Sequence, residues 1–328
     1  MKRLDFLIPL FALTVTIGYS GGIEWRTENA VEYFHFSTSS LTGMFVAHDG
    51  RELGKGYGKH GLRNLRFKDH DLHAPEGSIG AKRRHQGILN LYRVYSSTET
   101  FGSLRDDEAE VTPLANGALL KWSASEDRPV SISASWKLTG TAQIDVTIEA
   151  APTRKIENFE ILPATYVPVE MVNAVYLGTP VHPQLTRLRP TEESDENETY
   201  SFHPLGESAR EAQKASGRVH SEWKWPTFVA SDTAALPIVF AEDDSIQIIQ
   251  LADPDTVSAV CVTPTPELKD LTEWNNVEKH GALYFSLFGH DVEPGETYLS
   301  HIRFLVIDRP DEVEETHLRL YQDFLSSL

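Results

Sequence analysis

The stretch VSISASWKLTGTAQIDVTIEA, residues 130–150, carries the clearest structural pattern in the chain. Apolar side chains occupy every second position before a short turn at residues 139–141, and the alternation resumes after it. The apolar positions are Val130, Ile132, Ala134, Trp136 and Leu138, then Ala142, Ile144, Val146, Ile148 and Ala150. A period of two is typical of half-buried β-strands, and two such strands joined by a glycine turn form an antiparallel hairpin. The sequence therefore predicts an antiparallel β protein.

Strand-like apolar runs continue on both sides of this hairpin. They cover residues 31–36, 118–122, 159–162, 228–230, 238–241, 246–251, 257–262, 283–288 and 298–307. Two segments interrupt the rhythm, near residues 50–86 and 191–221, and both are expected to be long surface loops. Strands far outnumber helices, which predicts an all-β fold for one large domain over residues 21–328.

The C-terminal segment carries the one well-signalled helix. Asp308 can cap it, and Pro310 falls in its first turn. Its apolar stripe repeats at three and four residues, at Val313, His317, Leu320, Tyr321, Phe324 and Leu328. We expect the helix to pack this stripe on the outside of a sheet, with His317 as a packing residue.

The N-terminal residues resemble a secretory leader. Lys2 and Arg3 precede a mostly apolar run over residues 6–17, and small residues at 18 and 20 suit a cleavage site. The run is shorter than the ~20 residues of a membrane span. We therefore expect a signal peptide over residues 1–20, a mature protein that is secreted or periplasmic, and no stable membrane insertion after cleavage. Cys261 is the only cysteine, so the chain can form no intrachain disulfide.

Residues 51–105 form a basic island in an otherwise acidic chain. They hold eleven Lys and Arg against five Asp and Glu, whereas the whole chain has a formal net charge of −18. Such an island predicts a local site for an anion. Nucleic acid binding requires a broader basic face than one segment supplies, so we expect no nucleic acid partner.

Candidate binding residues follow from this island. With strict alternation, Leu89, Leu91, Arg93 and Tyr95 share one strand face, opposite Ile88, Asn90, Tyr92 and Val94. Arg93 is either an exposed or ion-paired structural residue, or a clamp for a carboxylate or sulfate group. Arg63 is the alternative clamp, and Tyr92, Tyr166 and His85 are candidate bases if the reaction is an elimination.

The segment over residues 157–177 contributes candidate carboxylates. Glu160 and Glu170 lie among strand-forming apolar residues, where an acid is costly unless it is paired or faces a cleft. They either face solvent or serve as general bases, with Tyr166 nearby in sequence.

No motif indicates a metal or a cofactor. Asp69, His70, Asp71 and His73 place four potential ligands within five residues, but the spacing fits no metal motif and a solvated loop is the better interpretation. No Walker loop, dinucleotide fingerprint, nucleophile elbow or zinc protease helix occurs. We therefore expect neither a metal nor a cofactor.

The layout resembles the galactose mutarotase-like superfamily. The resemblance rests on the sequence Gly58, Lys59, His60, Gly61, Leu62 in the early excursion, the hairpin-rich middle, and the run YLSHIRF at 298–304 before the terminal helix. It implies a large antiparallel two-sheet supersandwich that binds carbohydrate on a concave face. It also implies a catalytic pair in which His60 or His85 is the acid and Glu160 or Glu170 the base. The central histidine of the family has no counterpart in this sequence.

The sequence is compatible with three classes of function. The first is a secreted carbohydrate-active enzyme, an epimerase or a lyase, acting on an anionic sugar or polysaccharide. The second is a carbohydrate-binding protein without catalysis. The third is a structural β-sandwich of the cell envelope.

Overall fold

The computed structural model describes residues 16–17, 23–28, 31–46, 60–72, 87–97, 99–168, 170–188, 199–203, 227–229, 232–263 and 281–328. Within them the chain is built almost entirely of β-strands. The strands are β1 Thr16–Ile17, β2 Ile23–Glu28, β3 Val31–Ser37, β4 Leu41–Val46, β5 Gly61–Phe67, β6 His70–Asp71, β7 Asn90–Tyr95, β8 Glu110–Leu114, β9 Gly117–Trp122, β10 Val130–Gly140, β11 Gln143–Pro152, β12 Ile156–Val167, β13 Val172–Thr179, β14 His182–Leu188, β15 Thr199–Phe202, β16 Thr227–Val229, β17 Ala234–Glu242, β18 Ile246–Ala252, β19 Val257–Thr263, β20 Gly281–Val292 and β21 Tyr298–Asp308. A 3-10 turn, Leu104–Asp106, and a helix, α1 Val313–Leu325, complete the elements.

The strands form three sheets. Six N-terminal strands follow chain order from β1 to β6. A nine-stranded sheet has the order β14-β13-β17-β18-β21-β11-β10-β9-β8, and a second six-stranded sheet has the order β16-β15-β19-β20-β12-β7. The pairings are antiparallel except for β15 with β16. The predicted all-β antiparallel class is confirmed, and the N-terminal strands add a third sheet to the expected two.

The hairpin predicted at residues 130–150 forms as β10 and β11, with Trp136 opposite Val146 and Ala134 opposite Ile148. Its alternate side chains enter the main core, which draws on all three sheets. Trp136 joins them, since its ring lies 5.0 Å from that of Phe45 and its indole N–H donates to the carbonyl oxygen of Leu89 over 3.0 Å. This core fixes the inner faces of the sheets.

The terminal helix α1 packs on the outer face of the nine-stranded sheet, as predicted. Tyr321 and Phe324 are buried there in a second hydrophobic cluster that includes Tyr176 and Phe240. Among the described residues, no helix has the length and apolarity that crossing a bilayer requires.

The prediction of a long loop over residues 50–86 is wrong in part. Within residues 50–86 the structure places β5 and β6, because Leu62, Leu65 and Phe67 bury their side chains in the main core. Within residues 191–221, β15 pairs with β19. Apart from residues 60–72 and 199–203, both segments lie outside the described residues.

Candidate functional site

The outer face of the six-stranded sheet that contains β12 has an unusual composition. Its inner face packs Phe159, Ile161 and Phe285 into the main core. The outer face of the three neighbouring strands β19, β20 and β12 carries short side chains instead: Ala164, Ala259, Cys261 and Ala282. Tyr92, Tyr166 and Tyr284 pack against these small residues. The short side chains and the ring of Tyr284 are buried, and together they form a small hydrophobic cluster on this face.

A β-bulge in β7 brings an extra side chain to this face. Arg93 lies opposite Leu162 and Leu91 lies opposite Pro163, so Tyr92 is an added residue in the register. Leu91 and Val94 enter the main core, whereas Tyr92 packs against the outer face. The expectation from strict alternation, which placed Tyr92 opposite Arg93, is therefore wrong. The bulge lets the two side chains share one face.

Arg93 is held by two phenols. One terminal guanidinium nitrogen donates to the Tyr95 hydroxyl over 3.0 Å, and the other donates to the Tyr92 hydroxyl over 2.5 Å. The guanidinium carbon also lies 4.3 Å from the centroid of the Tyr92 ring. Both contacts restrict the rotamers of Arg93, which makes it a preorganised cation.

Arg105 reaches the same ring from the 3-10 turn. Its guanidinium carbon lies 3.9 Å from the centroid of Tyr92, and one terminal nitrogen donates to the Tyr166 hydroxyl over 3.2 Å. Tyr284 completes the group, with its ring 6.4 Å from the rings of both Tyr92 and Tyr166. We call these residues the arginine–tyrosine cluster: Tyr92, Arg93, Tyr95, Arg105, Tyr166 and Tyr284.

The cluster concentrates positive charge beside neutral phenols. The guanidinium carbons of Arg93 and Arg105 are at most about 8 Å apart, because both lie close to one ring, and at that separation two cations repel by about 2 kcal/mol at an effective dielectric constant of about 20. Burial raises the pKa of Tyr92 and raises that of Tyr284 well above its ordinary value. The Tyr92 and Tyr284 phenols therefore stay protonated at neutral pH.

Glu160 lies on the same face, on β12 opposite Tyr95. A chain of serines leads to its carboxylate. The Ser258 hydroxyl donates to that of Ser286 over 2.7 Å, and the Ser286 hydroxyl donates to a Glu160 carboxylate oxygen over 2.9 Å. Glu160 is buried, so these donors offset part of the cost of its charge. The face thus offers both a cationic and an acidic group.

His60 lies beside the turn that carries Arg105, as a fully buried residue. Its Nε2–H donates to the carbonyl oxygen of Asp107 over 2.8 Å, and its ring meets that of Trp122 edge-on at 5.3 Å. Arg63 is buried on β5, in the N-terminal sheet. The described hydrogen bond of His60 goes to Asp107 and that of Glu160 to Ser286, so these bonds do not join the two residues into the predicted pair.

The other candidates are more scattered. Glu170 is exposed in the turn between β12 and β13, and His85 lies outside the described residues. His70 and Asp71 form β6, paired with β5, and His73 also lies outside. Over the part of the chain that the structure describes, no group of three or more His, Cys, Asp or Glu side chains could hold a metal ion.

Sequence reasoning missed Arg105, Tyr95 and Tyr284 as members of the cluster. The only sequence feature that pointed to Arg105 was its position as the last residue of the basic island. Tyr284 alternates with Ala282 and Ser286 on a strand that is otherwise apolar, and that pattern does mark the outer face.

No family model matches the chain, and no curated protein does. Solved structures do resemble it. Galactose 1-epimerase from Lactobacillus acidophilus NCFM has 8% identity and a TM-score of 0.47, over 92% of this chain and 100% of that chain. An aldose epimerase homologue from C. elegans has 10% identity and a TM-score of 0.45, over 83% and 97%. A heparan sulfate lyase mutant from Pedobacter heparinus has 8% identity and a TM-score of 0.34, over 92% of this chain and 37% of that chain.

The resemblance to galactose mutarotases thus recurs among solved structures. It is a resemblance of fold. The chemistry of this chain rests on its own residues.

Proposed function

We propose that the protein binds an anionic carbohydrate on the outer face of the six-stranded sheet, at the arginine–tyrosine cluster. The observation that carries this proposal is the convergence of Arg93 and Arg105 on the ring of Tyr92. Guanidinium groups suit carboxylate and sulfate groups, and tyrosine rings offer flat apolar surface with a polar hydroxyl at the edge. Glu160 and its serine donors add an acceptor for sugar hydroxyl groups.

The test is isothermal calorimetry with matched oligosaccharides that carry uronate groups, sulfate groups or neither. We expect the anionic sugars to bind and added salt to weaken that binding. Arg93→Ala should weaken it by about 1.5–3 kcal/mol, roughly 10- to 150-fold, because a charge-assisted bond is lost. Arg105→Ala should act in the same direction.

The matched control is Arg154→Ala. Arg154 pairs with Glu99 at an exposed site, with half of each side chain accessible, and contributes nothing to the cluster's described contacts. We expect unchanged affinity for this variant. Equal affinity for neutral and anionic sugars without salt dependence, or equal losses for Arg154→Ala and Arg93→Ala, would overturn the proposal.

Catalysis is the second candidate function, and the buried carboxylate of Glu160 on the same face favours it. We propose that any proton transfer uses Glu160, since it is the predicted carboxylate that lies with the cluster. Glu160→Gln should then lower turnover by roughly 10²–10⁴-fold while binding persists. Product analysis on each bound sugar tests this, and binding without any product supports a binding protein instead. We also propose export of the protein to the periplasm or the cell exterior.

A further inference from the structure

A buried network of hydrogen bonds links α1 to the nine-stranded sheet, whereas the arginine–tyrosine cluster lies on the six-stranded sheet that contains β12. The Tyr176 hydroxyl lies 3.0 Å from His317 Nδ1, and His317 Nε2 lies 2.8 Å from Gln247 Oε1. The amide nitrogen of Gln247 donates to a Glu242 carboxylate oxygen over 2.8 Å. A carboxylate can only accept, so this last bond identifies the Gln247 amide nitrogen as a donor and its oxygen as the atom that faces His317.

The order of donors in these bonds fits a neutral His317. The amide of Gln247 turns its nitrogen to Glu242 and its oxygen to His317, so Nε2 carries the proton. Nδ1 is then the acceptor for the Tyr176 hydroxyl. Both ring nitrogens are used by the neutral tautomer. A second ring proton, on Nδ1, would make the Tyr176 hydroxyl the acceptor and turn its own proton toward the buried surroundings.

The surroundings of His317 also disfavour a charged ring. The residue is fully buried, and the ring of Phe240 lies edge-on to it at 4.4 Å. Burial lowers the pKa of His317 to about 4, since the smaller opposing effect of the Glu242 carboxylate does not compensate. The charged and titratable groups around the chain are Glu242 and its partners Arg187 and Arg309, Tyr176, and on α1 Glu314 and Tyr321.

The helix can leave the sheet without breaking a strand ladder. It contributes no strand to any sheet, and it is held by Tyr321, Phe324 and His317 on its buried side. Release would expose the apolar side chains beneath it, including Phe240, Ile249 and Leu251. Release of α1 would therefore leave the hydrogen bonds between the strands intact.

We propose that His317 is an acid-sensitive latch, whose protonation releases α1 from the nine-stranded sheet. The released ring has its ordinary proton affinity and the docked ring a lower one, so the released form binds more protons and docking weakens as pH falls. With pKa values of about 4 docked and about 6.5 released, the docking constant falls about 20-fold from pH 7 to pH 5 and about 100-fold from pH 7 to pH 4.

Hydrogen exchange resolved by residue tests the latch. We expect protection of the α1 amides to fall by about 20-fold between pH 7 and pH 5, after correction for intrinsic rates, while β10 and β11 keep theirs. His317→Gln should remove this pH dependence, and His301→Gln, which changes a half-buried histidine bonded to Thr147, should retain it. Parallel loss of protection in α1 and the sheets of the wild-type protein would overturn the latch.

An NMR titration of the unaltered protein covers the case in which His317→Gln does not fold. We expect the His317 ring to titrate near pH 4 while docked and the α1 resonances to change with the same midpoint. Titration of His317 near pH 6.5 without any change in α1 would refute the proposal.

Discussion

Replacing either of two glutamines on β18 with methionine should change the free energy of unfolding, but in opposite directions. Gln247 faces α1 and its amide is bonded to Glu242 and His317. Gln250 faces the opposite way, between Val239 and Phe304 in the main core, and is fully buried. Within the described part of the chain, neither its amide nitrogen nor its amide oxygen has a hydrogen-bond partner.

The expected magnitudes follow from the bonds present at each position. A buried polar group without a partner costs about 1–3 kcal/mol, so Gln250→Met should raise the free energy of unfolding by at least about 1 kcal/mol. Methionine is also unbranched and fills a similar space. Gln247→Met removes two bonds and leaves a buried carboxylate and imidazole short of partners, which should lower the free energy of unfolding by about 2–3 kcal/mol.

The assay is urea unfolding at pH 7, followed by circular dichroism and by tryptophan fluorescence. Coincident transitions permit a two-state treatment of the midpoints. The two variants carry the same chemical change on the same strand, so each is the control for the other. A loss of stability in Gln250→Met equal to that in Gln247→Met would refute the reasoning from satisfied and unsatisfied amides.

Three further outcomes are expected. Gly117→Ala should cost about 3 kcal/mol or prevent folding, since a Cβ there would lie 1.7 Å from the carbonyl oxygen of Trp136; thermal unfolding measures it, and an unchanged melting temperature would contradict it. Arg303→Ala should cost about 1.5–3 kcal/mol in urea, because it breaks a two-fold bond to Asp145 of 2.7 and 2.9 Å, and a loss below about 0.5 kcal/mol would show that solvent screens the pair. Mass spectrometry of the exported protein should find its N-terminus near Gly21, and an intact leader in that fraction would count against cleavage.

The elements that the sequence predicted best are those whose packing follows local periodicity. The hairpin of β10 and β11 has one face in the core throughout, so alternation alone predicts its strands. The helix α1 agrees in part at a period of 3.6, with His317, Tyr321 and Phe324 buried as the stripe predicts. Its start was predicted wrongly, because Asp308 ends β21 and the helix begins at Val313, and Leu328 is exposed beyond its end. In each case a hydrophobic cluster on one side of the element decides which side chains turn inward, the main core for the hairpin and the second cluster for α1.

The candidate site was harder to predict because it depends on departures from periodicity. The bulge at Tyr92 changes which residues share a face with Arg93, and no composition signal marks it. Arg105 reaches the cluster from a short 3-10 turn, where neither a period of two nor one of 3.6 applies. Glu160 could be predicted from the sequence, because an acid in an apolar strand is costly without partners. Ser286 is such a partner.

The bulge at Tyr92 also bears on how such a site can be gained. If Tyr92 is removed from the register, Leu91, Arg93, Val94 and Tyr95 alternate without interruption between core and outer face. The ring on which both guanidiniums converge thus corresponds, in the register, to one residue added to a regular strand. A single insertion can supply it and a single deletion can remove it, and neither event moves a core residue to the wrong side of the sheet.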